Sequence, residues 1–185
     1  MQIKIIGAGL AGCEAALWLA DHGVQVDLYE QKPVKFSPAH KSAGFAELIC
    51  SNSLKAERPD SASGLLKIEM RMMGSHLLDA AETARVAAGG ALAVDRDVFS
   101  TAVTEMVEKK PQYYRSPRRQ VTALDESVPV LVASGPLTDG GAGGADCRAD
   151  RQPPAEHFFD AVGPHCERRK PGYGKDLCGV PLRAR

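Results

Sequence analysis

The sequence predicts an α/β fold, in which a parallel β-sheet packs against helices, and its first thirty residues supply the evidence. Residues 2–6 form an apolar run typical of a buried strand, and a glycine-rich turn follows at once. Residues 13–22 have a helical pattern, and Gly23 is placed to end that helix. A second apolar strand covers residues 24–29 and ends at Glu30. Strand, glycine-rich turn, helix, strand and acid form, in this order, a Rossmann-like dinucleotide-binding unit.

The glycine-rich turn has the GxGxxG spacing and consists of Gly7, Ala8, Gly9, Leu10, Ala11 and Gly12. Gly7 allows a tight turn, Gly9 lets the backbone approach a pyrophosphate, and Gly12 lets the helix pack closely on the strand. The free N–H groups and the dipole at the start of the helix favour an anion there. We therefore expect the backbone of this turn to bind the pyrophosphate of a dinucleotide.

Glu30 lies 21 positions after Gly9, within reach of an adenosine ribose. Its carboxylate can accept hydrogen bonds from the ribose hydroxyls and would repel a 2′-phosphate, so NADP is not expected at this site. A GxGxxG motif alone is weak evidence, because a simple glycine-rich turn can have the same spacing. Here both strands, the helix and the acid are in register, which favours dinucleotide binding.

The bulk composition excludes several classes of protein. The chain has 185 residues, enough for one domain with a core, and Lys plus Arg equals Asp plus Glu at 23 each. Such a balance gives no overall attraction for nucleic acid, so RNA contact would need a local patch. No charged leader and no apolar stretch of about 20 residues indicate export or a membrane span. The five cysteines form no CxxC pair, so we expect no metal site and a cytoplasmic location.

The loop after Glu30 contains two further candidates. Pro33 and Pro38 forbid a regular element there, and loops at the carboxyl ends of parallel strands line the ligand crevice. Lys32 and His40 are therefore candidates for contact with a cofactor. They are equally compatible with a solvated loop.

Cys50 stands before a run of small polar residues, where a short helix or strand is expected to break. A cysteine at such a break is a nucleophile if its pKa is lowered. Without further information, the residue pattern favours a small buried apolar side chain.

Two helices are expected in the middle of the chain. Residues 98–109 place Phe99, Val103 and Val107 on one face, and residues 64–87 show an amphipathic pattern that Gly74 could interrupt. The apolar face expected over 64–87 consists of Leu65, Leu66, Ile68, Met70, Met73, Leu77, Leu78 and Ala81. Asp97 is a candidate N-cap for the helix over residues 98–109. Just before it, Asp95 and Arg96 either pair with each other or hold a ligand, and their spacing favours the pair.

Short strands are expected over residues 113–115, 120–124 and 128–134. Basic residues interleave with two tyrosines in this region, which is compatible with an RNA patch because rings stack on bases and cations neutralise phosphates. Solvated turns between strands are the more economical interpretation. The basic residues are Lys109, Lys110, Arg115, Arg118 and Arg119.

Several motifs together resemble one family, the folate- and FAD-dependent tRNA (uracil-5-)-methyltransferases known as TrmFO. The resemblance covers residues 2–138, and two of its motifs are specific to that family rather than to flavoproteins in general. The matching motifs are IIGAGLAG at 5–12, SPAH at 37–40, FAELICSNSLK at 45–55, GGALAVDR at 89–96 and SGPLT at 134–138. The second and third are the specific ones, and Lys32 stands where the family usually has arginine, which keeps the charge and loses bidentate contacts.

The resemblance implies a fold and a reaction. The fold would be the FAD-binding domain of a two-dinucleotide-binding flavoprotein, present here as an incomplete N-terminal part over residues 1–138. FAD would bind the fingerprint, methylenetetrahydrofolate would donate a one-carbon unit, and NAD(P)H would supply electrons. The product would be a tRNA methylated at C5 of a T-loop uridine.

The resemblance also implies roles for individual residues. Cys50 belongs to the family's Cys-Ser-Asn-Ser motif and is implicated in the chemistry, which reverses the preference drawn from its residue pattern alone. Asp95, in the motif at 89–96, and Gly135, after the third strand, would belong to the flavin site. Lys32 and His40 would join them on the cofactor side.

The resemblance breaks after Thr138. Residues 139–185 lack apolar periodicity except at 158–162, where the family pattern returns. We interpret the two departing stretches as altered reading frames, since a one-base shift can restore family-like sequence. We expect residues 139–185 to be a poorly ordered tail and the 185-residue chain to be an inactive fragment.

Two alternatives remain open at the level of sequence. One is another FAD-dependent tRNA-uridine-modifying enzyme of the glucose-inhibited division protein A group, against which the Cys-Ser-Asn-Ser stretch argues. The other is a non-catalytic FAD-binding module, which would bind flavin without oxidising NADH.

Overall fold

The computed structural model describes residues 1–109, 114–124, 127–135 and 138. The predicted tail, residues 139–185, lies outside this range, as do Lys110 and Tyr113. In chain order the elements are β1 (Gln2–Ile6), α1 (Leu10–Asp21), β2 (Gln25–Tyr29), β3 (Ser53–Ala56), α2 (Ala62–Met72), α3 (His76–Thr83), β4 (Arg85–Val86), β5 (Ala91–Val94), α4 (Arg96–Glu108), β6 (Tyr114–Arg115) and β7 (Val130–Val132).

The larger sheet has the strand order β6-β2-β1-β7, and every pair in it is parallel. Ile5 at its centre stands opposite Leu28 on one side and Leu131 on the other. Parallel strands end at the same edge, so the segments that follow β1, β2 and β7 meet there. The predicted α/β fold is therefore confirmed, including a third apolar strand beside the first. A smaller antiparallel sheet has the order β3-β5-β4.

The core lies between the larger sheet and the helices α1, α3 and α4. Helix α1 buries one stripe at helical spacing, which consists of Cys13, Ala16, Leu17 and Ala20. Helix α4 buries Phe99, Val103 and Val107, and this confirms the predicted face. Helix α1 packs on β1 and β2, and α3 and α4 pack on α1, which fixes the position of the turn between β1 and α1.

Helix α1 ends as the sequence predicts and begins earlier. Gly23 has a φ of +73°, and the N–H groups of Gly23 and Val24 donate to the carbonyls of Ala20 and Leu19 at 2.9 and 3.0 Å. This is a Schellman ending, which requires a left-handed residue that glycine adopts without a Cβ penalty. The helix begins at Leu10 rather than at residue 13, because Gly9 serves as its N-cap.

The predicted helix over residues 64–87 is two helices, α2 and α3. Gly74, with a φ of +77°, separates them, as its position allowed. The predicted apolar face is confirmed in α3, which buries Leu77, Leu78 and Ala81. It is wrong in α2, whose aliphatic residues Leu65, Leu66 and Ile68 are exposed. Lys67 is buried instead, and its Nζ donates to the carbonyls of Ala56 and Ser63, at 3.1 Å each.

The start of α4 also differs from expectation. Its N-cap is Asp95 rather than Asp97, and Asp95 Oδ1 accepts the N–H groups of Asp97 and Val98 at 3.0 Å. Arg96 does not pair with Asp95 as expected. Its Nη1 donates instead to the carbonyl of Leu48 at 3.5 Å. Residues 120–124, predicted as a strand, have no regular structure.

Among the described residues, no helix combines the length and the apolar character that crossing a membrane requires.

Candidate dinucleotide-binding site

A cavity of about 270 Å³ opens at the carboxyl edge of the larger sheet. Four segments that follow β1, β2, β6 and β7 form most of its wall, and the loop before β3 completes it. The lining residues are Ile6, Gly7, Ala8, Gly9, Leu10, Ala11, Tyr29, Glu30, Gln31, Lys32, His40, Glu47, Ile49, Arg119, Gln120, Val121, Ala133, Ser134, Gly135 and Thr138. The sheet topology therefore brings most of the predicted site residues to one place.

The three fingerprint glycines have different surroundings. A Cβ on Gly12 would overlap the carbonyl oxygen of Gly7, so this glycine permits the helix to pack against the turn. Gly7 has a φ of +104°, and a Cβ there would meet the backbone of Ala133 in the loop after β7. A Cβ on Gly9 would meet nothing within 4 Å, although Gly9 lines the cavity. Gly9 thus presents bare backbone to whatever occupies the cavity.

The N-terminus of α1 faces the same space. No side chain caps this end of the helix, and its first residues, Leu10 and Ala11, line the cavity. Uncapped N–H groups and the positive end of the helix dipole favour an anion. Together with the open Cβ position of Gly9, they fit the pyrophosphate of a dinucleotide.

Glu30 is 7% exposed and faces the cavity from the end of β2. Its Oε2 accepts the N–H of Ala8 at 3.1 Å, and its Oε1 accepts the N–H of Lys32 at 2.9 Å. These two bonds fix the carboxylate and tie the glycine-rich turn to the loop after β2. Each oxygen retains a further lone pair with which it can accept a ribose hydroxyl.

Lys32 lines the cavity, but its ammonium group is bound by acceptors of the protein itself. The residue is 4% exposed, and its Nζ donates to Gly44 O at 2.8 Å and to Glu47 Oε2 at 3.1 Å. Glu47 Oε1 also accepts the N–H groups of Lys41 and Ser42, at 2.9 and 3.0 Å. Burial raises the pKa of Glu47, but these N–H groups and Lys32 outweigh it, and the net pKa is lowered. The carboxylate thus holds the loop over residues 40–47 in place.

His40 also lines the cavity, and its Nδ1 shares a hydrogen bond of 2.6 Å with the hydroxyl of Ser37. Burial, together with the positive charge of Lys32, lowers the pKa of His40 below its usual value. The imidazole is therefore neutral at pH 7. Cofactor contact by Lys32 and His40 stays a prediction, although both stand in the wall.

Three of the predicted site residues are not among those that line the cavity: Gly12, Cys50 and Asp95. Cys50 is exposed and lies one residue beyond Ile49, which lines the cavity. Asp95 is not among the lining residues, and its carboxylate caps α4. The carboxylate of Asp95 thus has the capping role that the sequence analysis assigns to Asp97. Gly135, by contrast, lines the cavity beside Ser134 with a φ of +78°.

The other described cysteine, Cys13, cannot serve as a nucleophile. It is fully buried, and its thiol donates to the carbonyl of Ala8 at 3.3 Å. Burial, and to a smaller extent the charge of Glu30, raise its pKa to about 12. Cys50 is therefore the described thiol that solvent and a substrate can reach.

Sequence reasoning missed two contributors to the site. Glu47 lies within a motif that was noted for its cysteine, and nothing local reveals its partner Lys32, fifteen residues earlier. Arg118 lies 4.0 Å over the ring of Phe45, and its Nη1 donates to the carbonyls of Ala43 and Lys32 at 3.0 and 3.4 Å. The sequence favours solvated turns for the basic residues near position 118, with an RNA patch as the alternative.

A larger cavity of about 640 Å³ lies between α1 and the helices α2 and α3. Its wall is apolar, with Trp18, Met70 and Met73 among the lining residues. Nowhere in the described part of the chain do three or more His, Cys, Asp or Glu residues gather as a metal site would require. The polar cavity at the sheet edge is thus the candidate site.

These features define the chain as a dinucleotide-binding protein with a Rossmann-like fold. The solved structure of FqzB has the same fold, with a TM-score of 0.51 at 13% identity over 83% of this chain and 39% of that one. A sequence model of glucose inhibited division protein A matches residues 2–126. The chain belongs to that family.

Curated relatives narrow the similarity further. The chain is 48% identical over 166 residues to "Methylenetetrahydrofolate--tRNA-(uracil-5-)-methyltransferase TrmFO" of Geobacter sulfurreducens. It is 53% identical over 137 residues to the protein of the same name in Desulforamulus reducens. The resemblance stated from the motifs is therefore confirmed.

The extent of these matches is uneven. The Geobacter match covers 88% of this chain but only 37% of the relative, and the Desulforamulus match covers 74% and 31%. The chain thus spans about a third of the length of the curated relatives it matches. A match of 166 residues is also longer than the segment 2–138, so part of the sequence beyond Thr138 contributes to it.

Proposed function

We propose that residues 1–138 form the FAD-binding part of a tRNA (uracil-5-)-methyltransferase of the TrmFO type. One observation carries the proposal: an open glycine backbone at an uncapped helix start and a buried glutamate at the next strand end share one cavity. The similarity to TrmFO proteins at 48% identity supports the reaction type. Methylenetetrahydrofolate, NAD(P)H and a tRNA are the further substrates of this proposal, and the cytoplasm is its location.

The residues of the cavity suit the parts of FAD. The N–H groups at Leu10 and Ala11 would bind the pyrophosphate, and Glu30 would accept the hydroxyls of the adenosine ribose. The flavin half would then extend the other way, past β7 toward Ser134 and Gly135. When bound, FAD would carry reducing equivalents from NAD(P)H to the one-carbon unit. Ala8 and Gly12 would hold the shape of the turn. Ala8 has only a methyl group as its side chain, and Gly12 has none.

Cys50 is proposed as the nucleophile that activates uracil. C5 of uracil is a weak nucleophile, and addition of a thiolate to C6 makes C5 enolate-like, so that it can accept the one-carbon unit. The thiol proton leaves before this addition, and the thiolate is released when the C5 proton is removed. Exposure of Cys50 beside the cavity residue Ile49 supports this role, since a tRNA base must reach the thiol.

The FAD proposal is tested by Gly9→Val, with Gly90→Val as the matched control. Neither added side chain meets protein atoms at its Cβ, and neither glycine has a positive φ, so both variants should fold. Valine at position 9 would occupy the space proposed for the pyrophosphate. We expect FAD binding, followed by quenching of flavin fluorescence, to be lost in Gly9→Val and kept in Gly90→Val. Equal binding by both variants would overturn the assignment.

The role of Cys50 is tested in a full-length protein, in which residues 1–138 replace the matching part of the Geobacter relative. Cys50→Ala should keep the flavin absorbance and lose methylation of tRNA. Cys13→Ala, which removes the buried thiol, should keep both. Full methylation by Cys50→Ala would return Cys50 to a structural role.

The family match favours a second candidate, another FAD-dependent enzyme that modifies tRNA uridines. In the same hybrid protein this alternative predicts flavin binding and a modified uridine that is not 5-methyluridine. Nucleoside analysis of the tRNA distinguishes the two reactions. A non-catalytic FAD-binding module would leave the tRNA unchanged and would not oxidise NADH.

A further inference from the structure

We propose that Arg119 binds the adenine ring of the dinucleotide by stacking its guanidinium on the base. The inference rests on the proposed FAD function and adds a residue that fixes the adenosine end. Arg119 lies in the cavity wall beside Gln120 and Val121. Its guanidinium carbon is 5.2 Å from the centroid of the Tyr29 ring, within the range of a cation–π contact.

The path of the backbone places the neighbouring side chains of Arg118 and Arg119 in different surroundings. The segment after β6 continues alongside the end of β2, because Glu30 N donates to Pro117 O at 3.3 Å and Glu30 forms a parallel bridge with Arg118. The chain then bends at Arg119, whose N–H donates to Pro117 O at 3.1 Å. The two side chains lie over different rings: Arg118 lies over Phe45 and donates to the carbonyls of Lys32 and Ala43, whereas Arg119 lies over Tyr29 at the cavity.

The cationic side chains around the cavity differ in whether their donors are already bound by acceptors of the protein. Lys32 Nζ is engaged by Glu47 and Gly44, and Arg118 Nη1 by the carbonyls of Ala43 and Lys32. Arg119 is exposed, and within the described ranges its guanidinium forms no hydrogen bond or ion pair beyond the contact with Tyr29. Arg119 is thus a planar cation that remains available to a ligand.

The direction of the ligand along the sheet edge places the adenine near Arg119. The pyrophosphate is assigned to the turn after β1 and the ribose to Glu30, after β2. The strand order is β6-β2-β1-β7, so the direction from β1 to β2 along the sheet edge leads next to β6. Neighbouring strands lie about 4.8 Å apart, so the end of β6 is the next part of the sheet edge beyond Glu30. Arginine guanidinium groups stack on base faces, and a planar fork suits this better than the point charge of lysine.

The test measures the binding of ADP, AMP and inorganic pyrophosphate to the 185-residue chain by calorimetry. Arg119→Ala should weaken ADP and AMP about tenfold, the range expected for loss of one base stack. Pyrophosphate, which has no base, should bind as before. Arg119→Lys, which keeps the charge and removes the planar group, should weaken ADP nearly as much. The control Arg58→Ala removes an exposed arginine that pairs with Asp60 outside the cavity wall and should change nothing.

Each outcome separates this inference from the function on which it rests. If the unmodified chain binds neither ADP nor AMP, the proposed FAD function is overturned, and the inference with it. If ADP binds equally to the unmodified chain and to Arg119→Ala, the inference alone is overturned. Equal weakening of ADP and pyrophosphate would assign Arg119 to the phosphates and would also overturn it. Matching circular dichroism spectra of the variants would show that the comparison concerns folded protein.

Discussion

Replacing Glu47 with glutamine should destabilise the site more than its position in a loop suggests. The side chains of Lys32 and Glu47 are 5% and 14% exposed, and their Nζ and Oε2 atoms are 3.1 Å apart. Glutamine could place its amide NH2 group next to the buried Nζ of Lys32. Alternatively, it could turn its oxygen toward Nζ, which would leave the N–H groups of Lys41 and Ser42 without their acceptor. Either way one charged partner is lost while the other stays buried.

The size of the effect follows from these contacts. A hydrogen bond to a charged group contributes about 1.5–3 kcal/mol, and a broken buried ion pair costs about 3–5 kcal/mol. Lys32 keeps the carbonyl of Gly44 as a partner, so we place the loss at about 2 kcal/mol, toward the lower of these ranges. For a domain of this size that corresponds to a fall in Tm of roughly 4–10 °C.

The assay is urea and thermal unfolding followed by circular dichroism, with Glu105→Gln as the matched control. Glu105 pairs with Lys109 at 3.5 Å, and both side chains are more than half exposed. That substitution should change the free energy of unfolding by less than about 0.5 kcal/mol. Equal stability of the two variants would refute the argument from burial.

The pH dependence of the Glu47→Gln deficit provides a second check. The pKa of Glu47 is lowered in the folded protein, because three hydrogen-bond donors outweigh the effect of burial. A carboxyl group with a lowered folded pKa stabilises the protein above its unfolded pKa, near 4.5. That stabilisation is lost as the pH falls through the folded pKa. The difference between the wild type and Glu47→Gln should therefore be full at pH 7 and shrink below pH 4.5. A deficit that stays constant down to pH 3 would mean that the carboxylate charge is not its cause.

Two further substitutions test the local structure of the site. Gly12→Ala should destabilise the protein by about 3 kcal/mol or prevent folding, since its Cβ would overlap the carbonyl oxygen of Gly7, and a soluble variant with unchanged Tm would contradict this. Asp95→Ala should cost about 1 kcal/mol of unfolding free energy by removing the cap of α4, whereas Asp95→Asn should restore most of it. If Asp95→Asn is as unstable as Asp95→Ala, a role beyond capping is indicated.

The parts of the structure that sequence predicted well are those fixed by short-range geometry. Gly7 and Gly23 have a positive φ that few other residues adopt, and Gly12 leaves out a Cβ that would overlap the carbonyl oxygen of Gly7, so the residue type itself is informative. The buried stripe of α4 was likewise readable, because Phe99, Val103 and Val107 repeat at helical spacing. Each of these signals is contained within about ten neighbouring residues.

The wrong predictions concern surroundings that only the folded chain supplies. The sequence pattern places the aliphatic residues of α2 on an apolar face, yet Leu65 and Leu66 are exposed, and Lys67 is buried and donates to two carbonyls. Helical spacing indicates which residues share a face, but not which face meets the rest of the protein. The same limit hid Glu47, whose partner Lys32 is fifteen positions away, and Arg118, whose acceptors are 75 and 86 positions away.

The charges around the cavity explain why a buried lysine at its wall does not decide the choice of ligand. Lys32 is neutralised by Glu47 at 3.1 Å, so this pair adds little net charge where a dinucleotide would bind. Glu30 contributes a negative charge where the ribose is proposed to bind, and this charge would oppose a third phosphate group there. Positive potential then comes from the uncapped start of α1 and from Arg119, on opposite sides of Glu30 along the sheet edge. Such an arrangement favours a ligand with its anionic group over β1 and its aromatic base over β6, and the comparison of ADP with pyrophosphate separates these two contributions.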